Sequence, residues 1–279
     1  MTPVRMAAVA GAFGRDLEAG FAEVERLVAD ARRQGVSLLV LPEAALGGYL
    51  ADLDGAADTG LPPALELGGP QIRRLAGIAG DMVVCAGFCE SRDGQRYNSA
   101  VCLTGDGVLG CYRKVHQPLR EDASYAAGSA FPVFDTPVGR LGMLICYDKA
   151  FPEAARALSL DGAEIVACLS AWPASRTAQA RDLAEDRWTR RFDLFDRARA
   201  LENQVVWVAS NQAGTFGSLR FVCSAKIVGP GGDVLAGTGT EPGVAVAEID
   251  VAAALAAARR SMFHLRDRRP DLYPTGAVV

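Results

Sequence analysis

Cys146 lies where the pattern of apolar residues changes its period. Residues 141–145 form an unbroken apolar run, which is typical of a short strand buried on both faces. Pro152 then begins an alanine-rich segment with helical spacing, since proline suits the first turn of a helix. A thiol in the tight turn between strand and helix lies near backbone N–H groups that favour a thiolate and can receive an oxyanion. This position favours a nucleophile, and the alternative is a cysteine that fills the core.

Glu43 and Lys114 each follow a strand-like run. Glu43 comes directly after the apolar residues 36–41 and Pro42, and Lys114 ends a run that starts at a hairpin signal near Gly107. Catalytic side chains in α/β sheets gather at strand ends, so both positions suit a site. If Lys114 faces a thiolate, its ammonium lowers the pKa of the thiol and can hold the oxygen of a tetrahedral intermediate. Taken singly, each residue would be interpreted as a solvated surface group.

In the rest of the chain, segments with the apolar pattern of a strand alternate with segments that have the apolar spacing of a helix. This alternation predicts an α/β fold. The main strands are expected at 6–10, 36–41, 82–89, 98–103, 164–169, 205–209, 221–228 and 244–249, and the main helices at 16–33, 71–79, 182–202 and 252–260. Residues 50–69, rich in Gly, Pro and Asp, are expected to be a loop that shapes or covers a pocket.

Length and composition narrow the class of protein. The chain has 279 residues, half of them hydrophobic, which is enough for one domain with a large core spanning residues 1–279. A net charge of −4 argues against nucleic acid and anionic membranes as partners, so a small molecule is expected. No apolar run reaches the roughly 20 residues that span a bilayer, and no segment reads as a signal peptide. We therefore expect a cytoplasmic protein.

The seven cysteines fit a reducing compartment better than a disulfide framework, because their number is odd and their spacing irregular. Cys85 and Cys89 could suggest a metal pair, but no second Cys or His pair completes four ligands. We therefore expect no metal site.

Three segments carry a resemblance to a known family. Residues 146–153, Cys-Tyr-Asp followed by Phe-Pro-Glu, resemble the nucleophile segment of the nitrilase superfamily, the carbon–nitrogen hydrolases. Residues 39–43 resemble the general-base segment of that family, and residues 112–116 resemble its lysine segment. Glu, Lys and Cys thus occur in the family's order. The Arg-Ala-Leu-Glu-Asn ending at 199–203 and the loop 210–214 extend the likeness over nearly the whole chain.

This resemblance implies the fold and the assembly. It implies a four-layer α-β-β-α sandwich, a homodimer formed through helices near the nucleophile, and a tail at 261–279 that packs on a neighbouring subunit. It also implies a second glutamate seven residues before a glycine, which corresponds to Glu121 before Gly128, with Asp122 as the alternative. No metal and no organic cofactor is required.

The resemblance also implies a reaction. Glu43 would take the thiol proton, Cys146 would attack an amide carbon, and Lys114 with the N–H of Tyr147 would stabilise the oxyanion. Glu43 would then protonate the leaving ammonia or amine, and water would hydrolyse the thioester. Glu121 would orient Lys114 and the substrate.

Four residues are candidates for contact with the substrate: Tyr49, Tyr147, Trp172 and Asn211. Trp172 could instead be a core or rim residue, and Asn211 could instead bond loop backbone. Arg176 could face a substrate carboxylate, although a solvated arginine is the default interpretation.

These motifs give an order of preference among substrate classes but do not identify the substrate. We rank a small linear amide first, an N-carbamoyl amine or amino acid second and a nitrile third. A catalytically silent binding or scaffold protein is the hypothesis from a different class. The presence of Glu43, Lys114 and Cys146 together argues against it, because a binding role would not need all three.

Overall fold

The computed structural model describes residues 3–52 and 60–273, so residues 53–59 of the expected loop and 274–279 of the expected tail lie outside the described residues. Within the described ranges, the α-helices are α1 (Leu17–Arg33), α2 (Pro70–Ala79), α3 (Pro152–Leu160), α4 (Arg187–Asn203) and α5 (Val251–Ser261). The strands are β1 (Val4–Gly11), β2 (Leu38–Val40), β3 (Val83–Arg92), β4 (Gln95–Thr104), β5 (Gly107–Arg113), β6 (Val133–Thr136), β7 (Gly139–Ile145), β8 (Ile165–Ser170), β9 (Val206–Gln212), β10 (Thr215–Phe216), β11 (Leu219–Arg220), β12 (Lys226–Val228), β13 (Val234–Gly237) and β14 (Gly243–Ile249).

The strands other than β10 and β11 form one folded sheet whose two halves face each other, and β10 and β11 pair separately. Its order is β5-β4-β3-β2-β1-β9-β8-β7-β6, with β14 paired to β1 and β12 paired to β9 and β13. Along β1, Met6, Ala8 and Ala10 pack in the core that contains β7 and β8, whereas Ala7 and Val9 pack against α1 and α2. Since α3 and α4 cover the other half, the layers run helix, sheet, sheet, helix. The expected four-layer α-β-β-α sandwich is confirmed.

Most element boundaries follow from local chemistry. The side chain of Asp16 accepts hydrogen bonds from the N–H groups of Glu18 and Ala19, so it caps α1 where the pattern predicted the helix to begin. The strand expected at 221–228 is wrong in its first part, because only β12 is extended there. Cys223 has a φ of 57°, which turns the chain before β12 begins.

The parallel strands bring the predicted site residues to one edge. β1, β2, β7, β8 and β9 run parallel, so their carboxyl ends lie together. Glu43 follows β2, and Cys146 follows β7. Gly87 on β3 lets the Glu43 segment approach closely, since a Cβ there would lie 2.3 Å from the N atom of Ala44. Within the described ranges, no helix combines the length and apolar character needed to cross a membrane.

Candidate active site

Cys146 begins a tight turn at the end of β7, as the change of period predicted. Residues Cys146–Ala150 form one 3₁₀ turn, called the elbow here, and α3 follows it. Cys146 itself has a φ of 51°, a region that side-chain-bearing residues rarely occupy. Its exposed fraction is 4%. The elbow therefore holds the thiol in a strained backbone position at the floor of a cavity.

Asp148 fixes the shape of the elbow. Its buried carboxylate accepts hydrogen bonds from the N–H of Ile145 at 3.0 Å, the hydroxyl of Tyr112 at 2.6 Å and the N–H of His116 at 2.9 Å. The ring of His116 stacks on Phe151 with centroids 3.7 Å apart. These contacts tie the elbow to the segment that carries Lys114.

Lys114 lies between two carboxylates. Its Nζ is 2.9 Å from Oε1 of Glu43, and 3.0 and 2.8 Å from the two carboxylate oxygens of Glu121. All three side chains are buried. We call Glu43, Lys114 and Glu121 the carboxylate-rich cluster. Asp122 is exposed, so the structure places Glu121, and not its alternative, beside the lysine.

Neighbouring donors hold both carboxylates in place. Asn98 donates from Nδ2 to Oε1 of Glu43 at 2.7 Å and to Oε1 of Glu121 at 3.0 Å. The N–H of Ala171 donates to the other oxygen of Glu43 at 2.6 Å. The hydroxyl of Tyr49 donates to Glu121 at 2.7 Å. Glu43 thus accepts hydrogen bonds from Lys114, Asn98 and the N–H of Ala171, and these three donors fix the direction of its carboxylate.

The electrostatics of this site keep the thiol protonated. Burial raises the pKa of Cys146 well above its ordinary value, and the carboxylates of Glu43 and Glu121 raise it further. The ammonium groups of Lys114 and Lys149 act in the opposite direction without outweighing these effects. Lys114 lowers the pKa of Cys146 as expected, but burial and the two carboxylates that hold Lys114 raise it by more.

The lysine keeps its charge despite its burial. Burial disfavours the ammonium, but Glu121 and Glu43 outweigh it and hold the pKa of Lys114 well above its ordinary value. Burial raises the pKa of Glu121, with Lys114 opposing it. Burial also raises the pKa of Tyr49 well above its ordinary value, so its hydroxyl remains a donor.

A cavity of about 560 Å³ opens above Cys146. This volume is within the usual range for a small-molecule site. Its walls are mainly aromatic and aliphatic, with two arginines. The lining residues are Tyr49, Pro118, Leu119, Cys146, Tyr147, Ala171, Trp172, Pro173, Ala174, Arg176, Thr177, Arg187 and Trp188.

Three of the four predicted substrate contacts, Tyr49, Tyr147 and Trp172, line this cavity, and so does Arg176. Asn211 lies behind the wall. Its side chain accepts from the N–H of Trp172 at 2.8 Å and donates to the carbonyl of the same residue at 3.4 Å. Asn211 is thus placed to fix the position of Trp172 rather than to touch a ligand.

Sequence reasoning missed several residues of the site. Asn98 lies inside a strand pattern, where nothing distinguishes it from other polar strand residues. Ala171 contributes only its backbone N–H, which has no side-chain signal. Arg187 and Trp188 begin a helix whose periodicity was clear, but which end of α4 faces the cavity depends on the fold.

A second group of buried charges lies on the other side of the elbow. Lys149 Nζ is 2.8 Å from one oxygen of Asp196, and Lys226 Nζ is 3.0 Å from the other. Lys226 Nζ is also 2.9 Å from the carboxylate of Asp193, which is half-exposed. We call Lys149, Asp196 and Lys226 the lysine-rich cluster. The indole N–H of Trp207 donates to Asp196 at 2.9 Å. The ring of Phe192 lies between the ammonium groups, 3.0 Å from Lys149 and 4.3 Å from Lys226 to its centroid.

The lysine-rich cluster belongs to a clamp between α4 and the elbow. Arg199, one turn further along α4, donates from Nε to the carbonyl of Lys149 at 2.8 Å and from Nη2 to the carbonyl of Ala150 at 3.1 Å. The clamp therefore holds both the backbone and a side chain of the turn that presents Cys146. Within the described residues, no group of His, Cys, Asp and Glu side chains could hold a metal ion.

A thiol on a strained elbow, beside a buried Glu-Lys-Glu cluster in a four-layer sandwich, is the arrangement of a thiol hydrolase of the nitrilase superfamily. The model of the carbon–nitrogen hydrolase family matches residues 5–259. The chain belongs to the carbon–nitrogen hydrolase family, and it is an enzyme.

Relatives in this family carry different names. The chain is 35% identical over 212 residues to a probable nitrilase of Schizosaccharomyces pombe, covering 74% of each chain. It is 32% identical over 289 residues to the N-carbamoylputrescine amidase of Solanum tuberosum, covering 97% of this chain and 93% of the relative. A solved mutant of the amidase from Nesterenkonia sp. AN1 carries an acetamide moiety on its active-site cysteine. That structure has a TM-score of 0.78 and 27% identity, covering 97% of this chain and 95% of the amidase.

Proposed function

We propose that this enzyme hydrolyses the C–N bond of a small linear amide through a thioester on Cys146. The observation that carries the proposal is the position of Lys114, whose ammonium bridges Glu43 and Glu121 beside a thiol at positive φ. A protonated thiol, a carboxylate held by three donors and a fixed ammonium are the groups that acyl transfer requires.

Acylation follows from the protonation state of the site. Because the pKa of Cys146 is raised, its proton moves to Glu43 as the sulfur attacks the amide carbon. The oxyanion of the tetrahedral intermediate accepts hydrogen bonds from Lys114 Nζ and the N–H of Tyr147. Glu43 then returns the proton to the nitrogen, the C–N bond breaks, and ammonia or an amine leaves. An acyl thioester and a carboxylate at Glu43 remain.

Deacylation uses the same groups in reverse. Glu43 takes a proton from water, whose oxygen attacks the thioester carbon, and Lys114 again stabilises the oxyanion. The C–S bond breaks, the acid product leaves and the thiol regains its proton from Glu43. Asn98 and Glu121 are positioning residues in this scheme, because they hold Glu43 and Lys114 without carrying the proton.

An N-carbamoyl amine or amino acid is the second candidate substrate, and a nitrile the third. The second is supported by the name of the Solanum relative, and the third by that of the yeast relative. The three classes differ in the group left on sulfur. An amide leaves an acyl group, a carbamoyl compound leaves a carbamoyl group, and a nitrile passes through a thioimidate.

Ammonia release and intact-protein mass spectrometry test these proposals together. The protein is incubated with matched amides, N-carbamoyl amines and nitriles, and trapped during turnover. We expect ammonia and an acyl-sized mass increase with amides, and neither with Cys146→Ala. Cys111→Ala, which removes a half-buried cysteine outside the cavity, is the matched control and should keep both.

An adduct on Cys146→Ala, or turnover by that variant within about tenfold of the parent, would contradict the mechanism. A catalytically silent binding or scaffold protein would release no ammonia from any class.

We also propose that the chain forms a homodimer, with its C-terminal segment packed on the partner. Large apolar side chains are exposed on α4 and near the C-terminal end, including Leu194, Met262, Phe263, Leu272 and Tyr273. Such a concentration of exposed apolar groups is typical of a protein interface. Light scattering on the full chain tests this directly, and a monomer at micromolar concentration would contradict it. The cytoplasmic location remains a prediction.

A further inference from the structure

Among the described wall residues of the cavity, the charged side chains are arginines. Arg176 and Arg187 both line it, while none of the described residues that form its walls carries a carboxylate. The carboxylates of Glu43 and Glu121 lie below the floor, where Lys114 bridges them. Within the described part of the chain, a ligand in the cavity therefore meets the charge of Arg187 and a mainly apolar surface elsewhere.

Arg187 is oriented by neutral partners. Its Nε donates to the hydroxyl of Ser175 at 3.1 Å, and its Nη2 donates to the hydroxyl of Thr177 at 2.8 Å. Among the described residues no carboxylate forms an ion pair with Arg187, although Asp186 precedes it in the chain. The two hydroxyls fix the direction of the guanidinium without neutralising its charge.

The carboxylate of Asp186 is occupied by the backbone. It accepts from the N–H groups of Ser175 at 3.1 Å, Trp188 at 2.8 Å and Ala180 at 3.3 Å. Burial raises the pKa of Asp186, but these bonds and, to a smaller extent, the charge of Arg187 outweigh it and lower the pKa, so Asp186 stays ionised while it caps α4. Asp186 thus holds the loop that presents Arg187, and its hydrogen bonds go to backbone N–H groups and not to the guanidinium of Arg187.

The surface between Cys146 and Arg187 is aromatic. The rings of Trp172 and Trp188 lie 5.5 Å apart, and the indole N–H of Trp172 donates to the carbonyl of Trp188 at 3.2 Å. Both rings line the cavity. A substrate that reaches from the thiol to the guanidinium therefore passes along an apolar wall.

We infer that the physiological substrate carries an anionic group, such as a carboxylate, at the end opposite its scissile C–N bond, and that Arg187 binds this group. This inference rests on the proposed amide hydrolysis. It also predicts a difference from the relatives named for N-carbamoylputrescine, since a protonated amine at this end of the cavity would lie beside the guanidinium of Arg187. Arg187 is thus a specificity-determining residue.

Three amides of similar length test this inference. Succinamate ends in a carboxylate, pentanamide in a methyl group and 4-aminobutanamide in an ammonium. We expect kcat/KM to be highest for succinamate, lower for pentanamide and lowest for 4-aminobutanamide, with about tenfold between the first two. N-Carbamoyl-β-alanine, N-carbamoyl-propylamine and N-carbamoylputrescine form the parallel series if carbamoyl compounds are the better class.

Arg187→Gln removes the charge while an amide remains to bond the hydroxyls. The ratio of kcat/KM for succinamate to that for pentanamide should fall about tenfold, mostly through KM. Arg187→Lys should keep part of the ratio, because an ammonium retains the charge without the planar fork. Arg190→Gln, which removes an exposed arginine from the same helix, is the matched control and should keep the ratio of the parent.

Two results would overturn the inference. One is a parent enzyme that hydrolyses pentanamide or 4-aminobutanamide as well as succinamate. The other is an Arg187→Gln variant that loses activity on all three amides by the same factor, because a merely structural role would produce that pattern. Failure of the proposed function is distinguishable, since it would appear as no turnover and no adduct on Cys146 with any amide.

Discussion

The two buried charge clusters beside the elbow have opposite surplus charge. The carboxylate-rich cluster has two buried carboxylates and one ammonium, whereas the lysine-rich cluster has two ammonium groups and one buried carboxylate, with the half-exposed Asp193 pairing Lys226 at its edge. The first is next to the cavity, because Tyr49 contacts Glu121 and also lines the cavity. The second lies behind the aromatic wall, with Lys149 Nζ 5.4 Å from the ring centroid of Trp172.

The difference separates reactive charge from structural charge. A surplus carboxylate near a protonated thiol can accept its proton. Ammonium groups behind the aromatic wall cannot reach the substrate, so they can only stabilise the fold around the elbow. Both clusters are buried and both contain short ion pairs, so burial and pairing do not by themselves identify a catalytic group. What identifies it here is the sign of the surplus charge and its access to the cavity.

Removing the surplus carboxylate should have the largest effect on activity. Glu43→Gln keeps the shape of the side chain but cannot accept the thiol proton, so kcat should fall by about 10³. Steady-state ammonia release measures the loss. Asp122→Asn removes an exposed carboxylate near the same cluster and is the control. A Glu43→Gln variant within tenfold of the parent would show that another group takes the proton.

Removing the bridging ammonium should have the next largest effect. Lys114→Met deletes an oxyanion donor, and kcat should fall by about 10² to 10³. It also leaves Glu43 and Glu121 facing each other without a cation, so the free energy of unfolding should fall by about 3–5 kcal/mol. Denaturant titration alongside the kinetics separates the two losses. Unchanged stability would mean that the two carboxylates share a proton.

The lysine-rich cluster should affect stability more than chemistry. Asp196→Asn leaves the buried ammonium of Lys149 without a carboxylate and Lys226 with only the half-exposed Asp193, so the free energy of unfolding should fall by about 3–5 kcal/mol. Lys149→Met should cost less, because Asp196 keeps its pair with Lys226. Both folded variants should retain kcat within about tenfold of the parent, since neither removes a reacting group. A larger loss of kcat than of stability would make this cluster part of the chemistry.

The smallest expected effect is on the stability of the protein at low pH. Burial opposes the charge of Asp196, but Lys149 and Lys226 outweigh it and hold its pKa below the ordinary value of 3.8. Since the folded pKa is lowered, the stability that Asp196 contributes is present above about pH 4 and is lost as the pH falls through the folded pKa. The unfolding midpoint of the parent should therefore fall more steeply below pH 4 than that of Asp196→Asn. Parallel slopes would contradict this.

The sequence predicted the parts of the site that depend on neighbours along the chain. A change of period marked Cys146 as a candidate, and the resemblance of three short segments to one family selected Glu43, Lys114 and Cys146 together. Each of these signals is local in sequence. The carboxylate-rich cluster joins segments far apart in sequence, so its geometry depends on how the sheet folds. The pKa of Cys146 shows the consequence, because the effect of Lys114 could be anticipated while that of the facing carboxylates could not.

The lysine-rich cluster had no sequence signal. Lys149 and Lys226 lie in different elements, and a lysine is ordinarily a surface residue. Asp196 falls on a helix whose charges suggested solvent exposure, yet its side chain is fully buried. Only the packing of α4 on the elbow brings the three together. Sequence reasoning therefore misses charged residues that are buried in this fold, because such residues are ordinarily exposed.

The three tryptophans of the chain are distributed in a way that supplies built-in optical probes. Trp172 and Trp188 line the cavity, whereas Trp207 donates its indole N–H to Asp196 behind the elbow. Indole emission responds to local polarity and to hydrogen bonding at its nitrogen. A Trp207→Phe variant would therefore report occupancy of the cavity by fluorescence, and a Trp172→Phe/Trp188→Phe variant would report loosening of the clamp. Substrate entry and elbow release could then be timed separately without attaching a label.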